Sequence, residues 1–218
     1  MTKNKSVIVV GGGAAGLMSA IHSAWSGAEV IIFEKNPRPA RKVLITGKGR
    51  CNVTNNCSIE TVMNNTPTNP KFLYSALNRF SPEDTMSFFE MLGVELKTER
   101  GNRVFPVSDK AKDIADALIS CAESAGCSIY EKNIKSLIIE NNTIKGVKDS
   151  NGVEYFADSV ILACGGASYP KTGSDGYGYV LARQAGHTVT KIKPSLVPLE
   201  SIESYCHEMM GLSLRNIK

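Results

Sequence analysis

Residues 7–34 constrain this chain more than any other stretch. An apolar run from Val7 to Val10 leads directly into Gly11, Gly13 and Gly16 in G-x-G-x-x-G spacing. A helical pattern follows (Leu17, Ala20, Ile21, Ala24), then Gly27, then a second apolar run ending on Glu34. Each part has a mechanical role in holding a dinucleotide. Gly11 permits the tight strand-to-helix turn, Gly13 lets a pyrophosphate approach the backbone, and Gly16 lets the helix pack closely on the strand. The helix N-terminus offers free N–H groups and a positive dipole end to the phosphates. Glu34, eighteen residues beyond Gly16, stands at a strand end, where a carboxylate accepts hydrogen bonds from ribose hydroxyls. A turn that merely joins strand to helix accounts for the glycines and leaves the acid unexplained.

The 218 residues accommodate one large domain, or one domain plus part of another. No apolar stretch reaches the length of a membrane span, and the opening run reads as a strand with no cleavage site behind it. The six cysteines (Cys51, Cys57, Cys121, Cys127, Cys164, Cys206) lack paired C-x-x-C spacing. With no secretion signal they read as reduced thiols in a cytoplasm. A net charge of +4, with most lysines scattered among acids, gives little support to nucleic-acid binding. One local excess stands out: Lys35, Arg38, Arg41, Lys42, Lys48 and Arg50 occur with no acid among them. It is either a solvated basic loop or a phosphate-facing segment, and charge alone does not choose.

After Glu34, residues 36–56 are rich in Pro, Gly, Asn and Thr and read as a long irregular loop. Helices are expected at about Pro70–Phe80 and Pro82–Leu92, the second with Ser81 as N-cap and Gly93 as its stop. A strand at Val94–Thr98 and an extended Arg103–Val107 come next. Ser108 or Asp109 then caps a helix to about Ser124, with Ile114, Ala117, Leu118 and Cys121 on one face. From Ser128 to Ala157 the period changes to two. Segments beginning at Ser128, Ile134, Thr143 and Val153 read as the strands of a β-meander. A buried strand from Ser159 ends in Gly165-Gly166, and a helix follows at about Asp175–Ala185. The tail from Leu196 leaves the pattern, and Gly211–Ile217 reads as the opening strand of a further domain. The expected organisation is an α/β, Rossmann-like domain over residues 1–195 with a meander insertion, and the beginning of a β-rich substrate domain over 196–218.

That order resembles the two-dinucleotide-binding flavoproteins of the glutathione-reductase type, in which a second strand ending A-[TC]-G-G passes close to FAD. More closely, G47-K-G-R-C-N-V-T-N55, R103-V-F-P106 and G165-G-A-S-Y-P-K-T-G-S174 together resemble the BaiN/RdsA family of bacterial NAD(P)/FAD-dependent oxidoreductases. The resemblance implies FAD contacts at Gly13, Ala15, Glu34, Arg41, Lys42, Gly49, Arg50, Cys51, Asn52, Ile134, Ala163 and Gly165. Bottom-up reading agrees for Glu34 as ribose acceptor and for Arg41 or Lys42 as pyrophosphate charge. Ile134 rests on the resemblance alone. Family members continue through a substrate domain and a final glycine-rich strand that closes over the flavin, so this chain reads as a fragment of a longer polypeptide.

The resemblance implies a reductase in which NAD(P)H gives hydride to flavin and an organic acceptor such as an enone receives it, or else an oxidase of the aminoacetone type, and the sequence does not choose between them. The alternatives are an NAD-dependent dehydrogenase without flavin, and a non-catalytic or truncated nucleotide-binding module. Four residues are candidates for chemistry. Cys51 is either a redox thiol paired with Cys57 or a small residue in a tight loop; the spacing departs from the disulfide-reductase motif. Arg50 either stabilises charge on the reduced flavin or makes a pyrophosphate or structural contact. Tyr169 and Lys171 either address a substrate carbonyl or shape a surface turn around Pro170. His22 and His187 read as packed or solvated. His207, between Cys206 and Glu208, makes a poor metal site, and no metal is assigned. The expected partner is a small-molecule substrate, with neither nucleic acid nor membrane, and self-association into a homo-oligomer is left open.

Overall fold

The computed structural model describes residues 5–194, 196 and 201–212. In chain order, β1 (Ser6–Val10), α1 (Ala14–Trp25) and β2 (Glu29–Glu34) form the opening unit. Then come β3 (Thr54–Asn55), α2 (Ile59–Asn64), α3 (Tyr74–Arg79), α4 (Pro82–Met91), β4 (Leu96–Glu99), β5 (Arg103–Pro106) and α5 (Ala111–Ser124). The remainder is β6 (Ser128–Glu131), β7 (Ile134–Glu140), β8 (Thr143–Asp149), β9 (Glu154–Phe156), β10 (Ser159–Leu162), α6 (Tyr177–Gln184) and α7 (Tyr205–Glu208).

Four of the strands make a wholly parallel sheet in the order β10-β1-β2-β6. Its two faces are covered differently, and alternation along the strands explains how. Val7 and Val9 of β1, with Val30 and Ile32 of β2, face a helical layer in which Leu17, Ala20 and Ile21 of α1 meet Ile114, Ala115 and Leu118 of α5. Ile8, Val10, Ile31 and Phe33 point the other way, against Ile134, Val147 and Tyr155 of the antiparallel sheet β7-β8-β9 and Leu181 of α6. A strand buried on both faces is apolar at nearly every position, as β1 and β2 are. The result is the Rossmann-like α/β architecture expected from the sequence, in three layers.

Several local expectations change. Ser128–Glu131 joins the parallel sheet beside β2 and lies outside the meander, which keeps three strands. The helix expected over Pro70–Phe80 divides into a 3-10 turn at Pro70–Leu73 and α3, after Asn69 takes a left-handed conformation. The loop 36–56 contains two short 3-10 turns within Val43–Gly49, kinked at Thr46–Lys48, and the small strand β3, which pairs with β5. Neither Ser108 nor Asp109 caps α5, whose N-cap is Lys110 without a side-chain bond. Asp109 turns left-handed and gives its carboxylate to Arg50 and Lys97. The N-cap of α4 is as expected: Ser81 Oγ accepts from the Asp84 N–H at 3.1 Å, and Asp84 Oδ2 accepts from the Ser81 N–H at 2.8 Å. His22 packs edge-on against Trp25 and Phe80. Among the described residues no helix is long and apolar enough to cross a membrane, and no cluster of three metal-ligating side chains occurs. Most of the strand expected at Gly211–Ile217 lies outside the described residues.

Candidate functional site

The three motif glycines divide their labour. Gly11 is left-handed (φ 107), its N–H donates to the Phe33 carbonyl at 2.8 Å, and a β-carbon there would lie 2.5 Å from the Ala163 carbonyl oxygen. At Gly16 a β-carbon would meet the Gly11 carbonyl oxygen at 1.8 Å and the Ala163 methyl at 3.3 Å. Gly11 and Gly16 therefore let β1, α1 and β10 close on one another. Gly13 differs. It is the N-cap of α1 in an extended conformation, no side chain caps the helix there, and a β-carbon would find nothing within 4 Å. Uncapped N–H groups beside open space are what a phosphate requires.

That space is the end of a cleft of about 300 Å³ at the C-terminal ends of the parallel strands. In open α/β sheets this is where ligands bind. Of the residues read from the sequence, Gly11, Gly13, Ala15, Glu34, Arg41, Lys42, Ile134, Ala163 and Gly165 line it. Gly16 sits behind the wall as a packing residue. Gly49, Arg50, Cys51 and Asn52 are absent from the lining, as are Tyr169 and Lys171, whose hairpin instead presents Thr172, Gly173 and Ser174. Asn36, Lys132, Lys135 and Tyr177 were not anticipated and all border the cleft. Asn36 had a signal, a short amide two residues past the strand-end acid.

Glu34 is 8% exposed and heavily engaged. Its Oε2 accepts from the Gly12 N–H at 2.7 Å; its Oε1 accepts from the Asn36 N–H at 2.9 Å and Asn36 Nδ2 at 2.6 Å. A carboxylate has about four acceptor sites, so room for a further donor remains. Arg41 is exposed and donates to Asn36 Oδ1 at 3.2 Å; Lys42 Nζ donates to Ser168 Oγ at 3.0 Å and lies 6.0 Å from the Tyr169 ring centre. The cleft thus brings together an engaged acid, Glu34, two cations, Arg41 and Lys42, and the uncapped start of α1. These residues fit the adenosine diphosphate part of a dinucleotide.

The neighbouring loop is built differently. Arg50 Nη2 donates to Glu99 Oε1 at 2.5 Å, Arg50 Nε donates to Asp109 Oδ1 at 2.8 Å, and its guanidinium lies 4.1 Å from the Phe105 ring centre. The bonds to Glu99 and Asp109 raise the arginine above its ordinary pKa, against a smaller opposing effect of burial. Arg50 lowers Glu99 in return, while Lys97 foremost and Arg50 lower Asp109. Arg50 is a clamp between its loop, β4 and the turn before α5. Cys51 is buried with φ 60, and burial pushes its thiol up, so it is a neutral core group at pH 7. Tyr169 and Lys171 are exposed on the hairpin around Pro170.

Comparison with known proteins agrees with the resemblance carried by the three motifs. The chain is 36% identical over 194 residues to a 3-dehydro-bile acid delta(4,6)-reductase of Clostridium scindens, covering 88% of this chain and 46% of that protein. It is 28% identical over 206 residues to a ribosomal RNA dihydrouridine synthase of Escherichia coli, covering 94% and 50% respectively. The chain therefore spans about half the length of these curated relatives. Among solved structures, 3-ketosteroid-delta4-(5alpha)-dehydrogenase from Rhodococcus jostii shares the fold with a TM-score of 0.64 at 16% identity, over 85% of this chain and 55% of that one. The model of the HI0933-like protein Rossmann domain matches residues 5–216, and the chain belongs to that family.

Proposed function

We propose that this chain is the FAD-binding part of an oxidoreductase that transfers hydride from NAD(P)H to a carbon–carbon double bond conjugated with a carbonyl. The observation that carries the reading is the open space at Gly13, beside the uncapped start of α1 and in the same cleft as Glu34. Gly13 and Ala15 would take the pyrophosphate with Arg41 or Lys42 as countercharge, and Glu34 the ribose hydroxyls. Ala163 and Gly165, just past the end of β10, line the same cleft beside the start of α1. When bound, FAD supplies a ring that accepts a hydride and hands it on; the protein supplies position and field.

The choice of acceptor draws on the relatives' names. One relative is by name a 3-dehydro-bile acid delta(4,6)-reductase and another a ribosomal RNA dihydrouridine synthase, and reduction of a ring double bond is what the two names have in common. In such a reduction hydride adds to the β-carbon and a proton to the α-carbon, so NAD(P)H and one proton balance the product. A small-molecule acceptor, as in the first relative's name and unlike the ribosomal RNA in the second's, goes with this reading, as does a cytoplasmic setting; the mild net charge favours the first and the six free thiols the second.

The test is the visible spectrum of the purified full-length protein, followed by anaerobic titration with NADH and NADPH and re-oxidation by a conjugated enone. Paired flavin bands that bleach with one nicotinamide and return with the enone are expected. A colourless protein that takes up no FAD when it is supplied in excess overturns the reading. Bound flavin that neither nicotinamide reduces leaves a nucleotide-binding module without the proposed activity.

A further inference from the structure

The adenosine end of the cleft is organised around Asn36. Its N–H and Nδ2 both donate to Glu34 Oε1, at 2.9 and 2.6 Å, while its Oδ1 accepts from Arg41 Nη1 at 3.2 Å. Glu34 and Arg41 carry opposite charges and line the same cleft, yet no ion pair joins them. One amide stands between them. A carboxylate accepts only and a guanidinium donates only, so a side chain that bridges them without competing for either must do both. An amide of asparagine length does.

The hairpin opposite is shaped to this amide. A β-carbon at Gly173, where φ is 100, would lie 2.8 Å from Asn36 Nδ2 and 3.2 Å from Lys35 Cε. Lys35 Nζ meets Asp175 Oδ2 at 2.7 Å and pins the same hairpin beside it. The amide is thus held from below by Glu34 and covered by a position with no side chain.

The geometry points to Asn36 as a positioning residue for the nucleotide. It fixes the ribose carboxylate and the phosphate cation in place and keeps them from neutralising each other, so both meet the ligand preorganised. This assignment rests on the proposed FAD reading. The charged groups around the amide are Glu34, Lys35, Arg41, Lys42 and Asp175.

Calorimetric titration of the full-length protein with FAD and with ADP, at pH 8 and pH 5.5, tests it with Asn36→Leu and Asn36→Asp. The leucine variant should weaken both ligands about tenfold at either pH, a change of about 1.4 kcal/mol. The aspartate variant should lose at least as much at pH 8, where two carboxylates face each other. It should recover most of the loss at pH 5.5, because a close carboxyl pair shares a proton and so regains a donor toward Glu34. Melting temperatures measured alongside separate a loss of binding from a loss of fold. Wild-type binding matched by both variants at both pH values sinks the assignment alone. So does a loss in Asn36→Asp that ignores pH and tracks the melting temperature. A wild-type protein that binds neither FAD nor ADP sinks the flavin reading and this assignment with it.

Discussion

A cysteine in a glycine-rich loop beside a flavin-binding motif invites a redox role, and the surroundings of Cys51 argue against one. Nucleophilic sulfur chemistry needs the thiolate, and burial in the apolar cluster that also holds Val43, Phe88 and Phe89 favours the neutral thiol. Cys51→Ser should therefore retain bound flavin and its rate of reduction by NAD(P)H, while losing about 1–2 kcal/mol of stability from a buried hydroxyl. Stopped-flow reduction beside a denaturant melt checks both halves; loss of turnover with flavin retained would restore the redox role. At this scale the sequence spoke clearly where spacing is fixed by the chain itself. Gly11, Gly13, Gly16 and Glu34 were legible because one turn, one helix and one strand separate them. Arg50 was not, because its carboxylate partners, Glu99 and Asp109, are 49 and 59 residues away and only the fold brings them near.

The strand–turn–helix unit makes a sharper claim, since its glycines separate packing from ligand contact. Gly16→Ala forces a methyl to within 1.8 Å of a backbone oxygen in the element's own interior, where neighbours cannot yield cheaply. A loss of at least about 3 kcal/mol is expected, at the upper end of overpacking effects. Gly13→Ala has an ordinary backbone conformation and empty space around it, so its unfolding midpoint should stay within about 0.5 kcal/mol of wild type. Its FAD and ADP binding should nonetheless fall at least about tenfold, since the methyl fills the phosphate position. Equal nucleotide binding by Gly13→Ala and wild type would show that the helix start is not the phosphate site. Elements with local signals were readable, as α4 was from Ser81 before it and Gly93 after it. The partner of Ser128–Glu131 was not: period two identifies a strand, and its pairing with β2 depends on α5 carrying the chain back across the sheet.

For the molecule as a whole, acid is the revealing perturbant. Asp84, Glu99, Asp109 and Asp116 are each held below the ordinary carboxylate range, chiefly by hydrogen bonds from Ser81, Arg50, Lys97 and Lys112 respectively. Asp149 is also lowered, although burial pushes it the other way, by the N–H groups of Val153 and Asn151. A carboxyl with a folded pKa below its unfolded one contributes stability that is complete above the unfolded value of about 4 and vanishes as pH falls through the folded one. Denaturant midpoints should therefore be nearly level from pH 7 to 5 and fall steadily below about pH 4; a midpoint unchanged at pH 3 contradicts the carboxylate network. Because most of these pairs are partly exposed, added salt should flatten part of that decline. The helical layer has a separate use for the experimenter. Cys51 and Cys127 lie sunk within one apolar cluster, so an alkylating reagent reaches them chiefly when that layer breathes open. Nature has left a stopwatch inside the protein, and the labelling times of these two sulfur atoms would read out how often the helical layer comes apart.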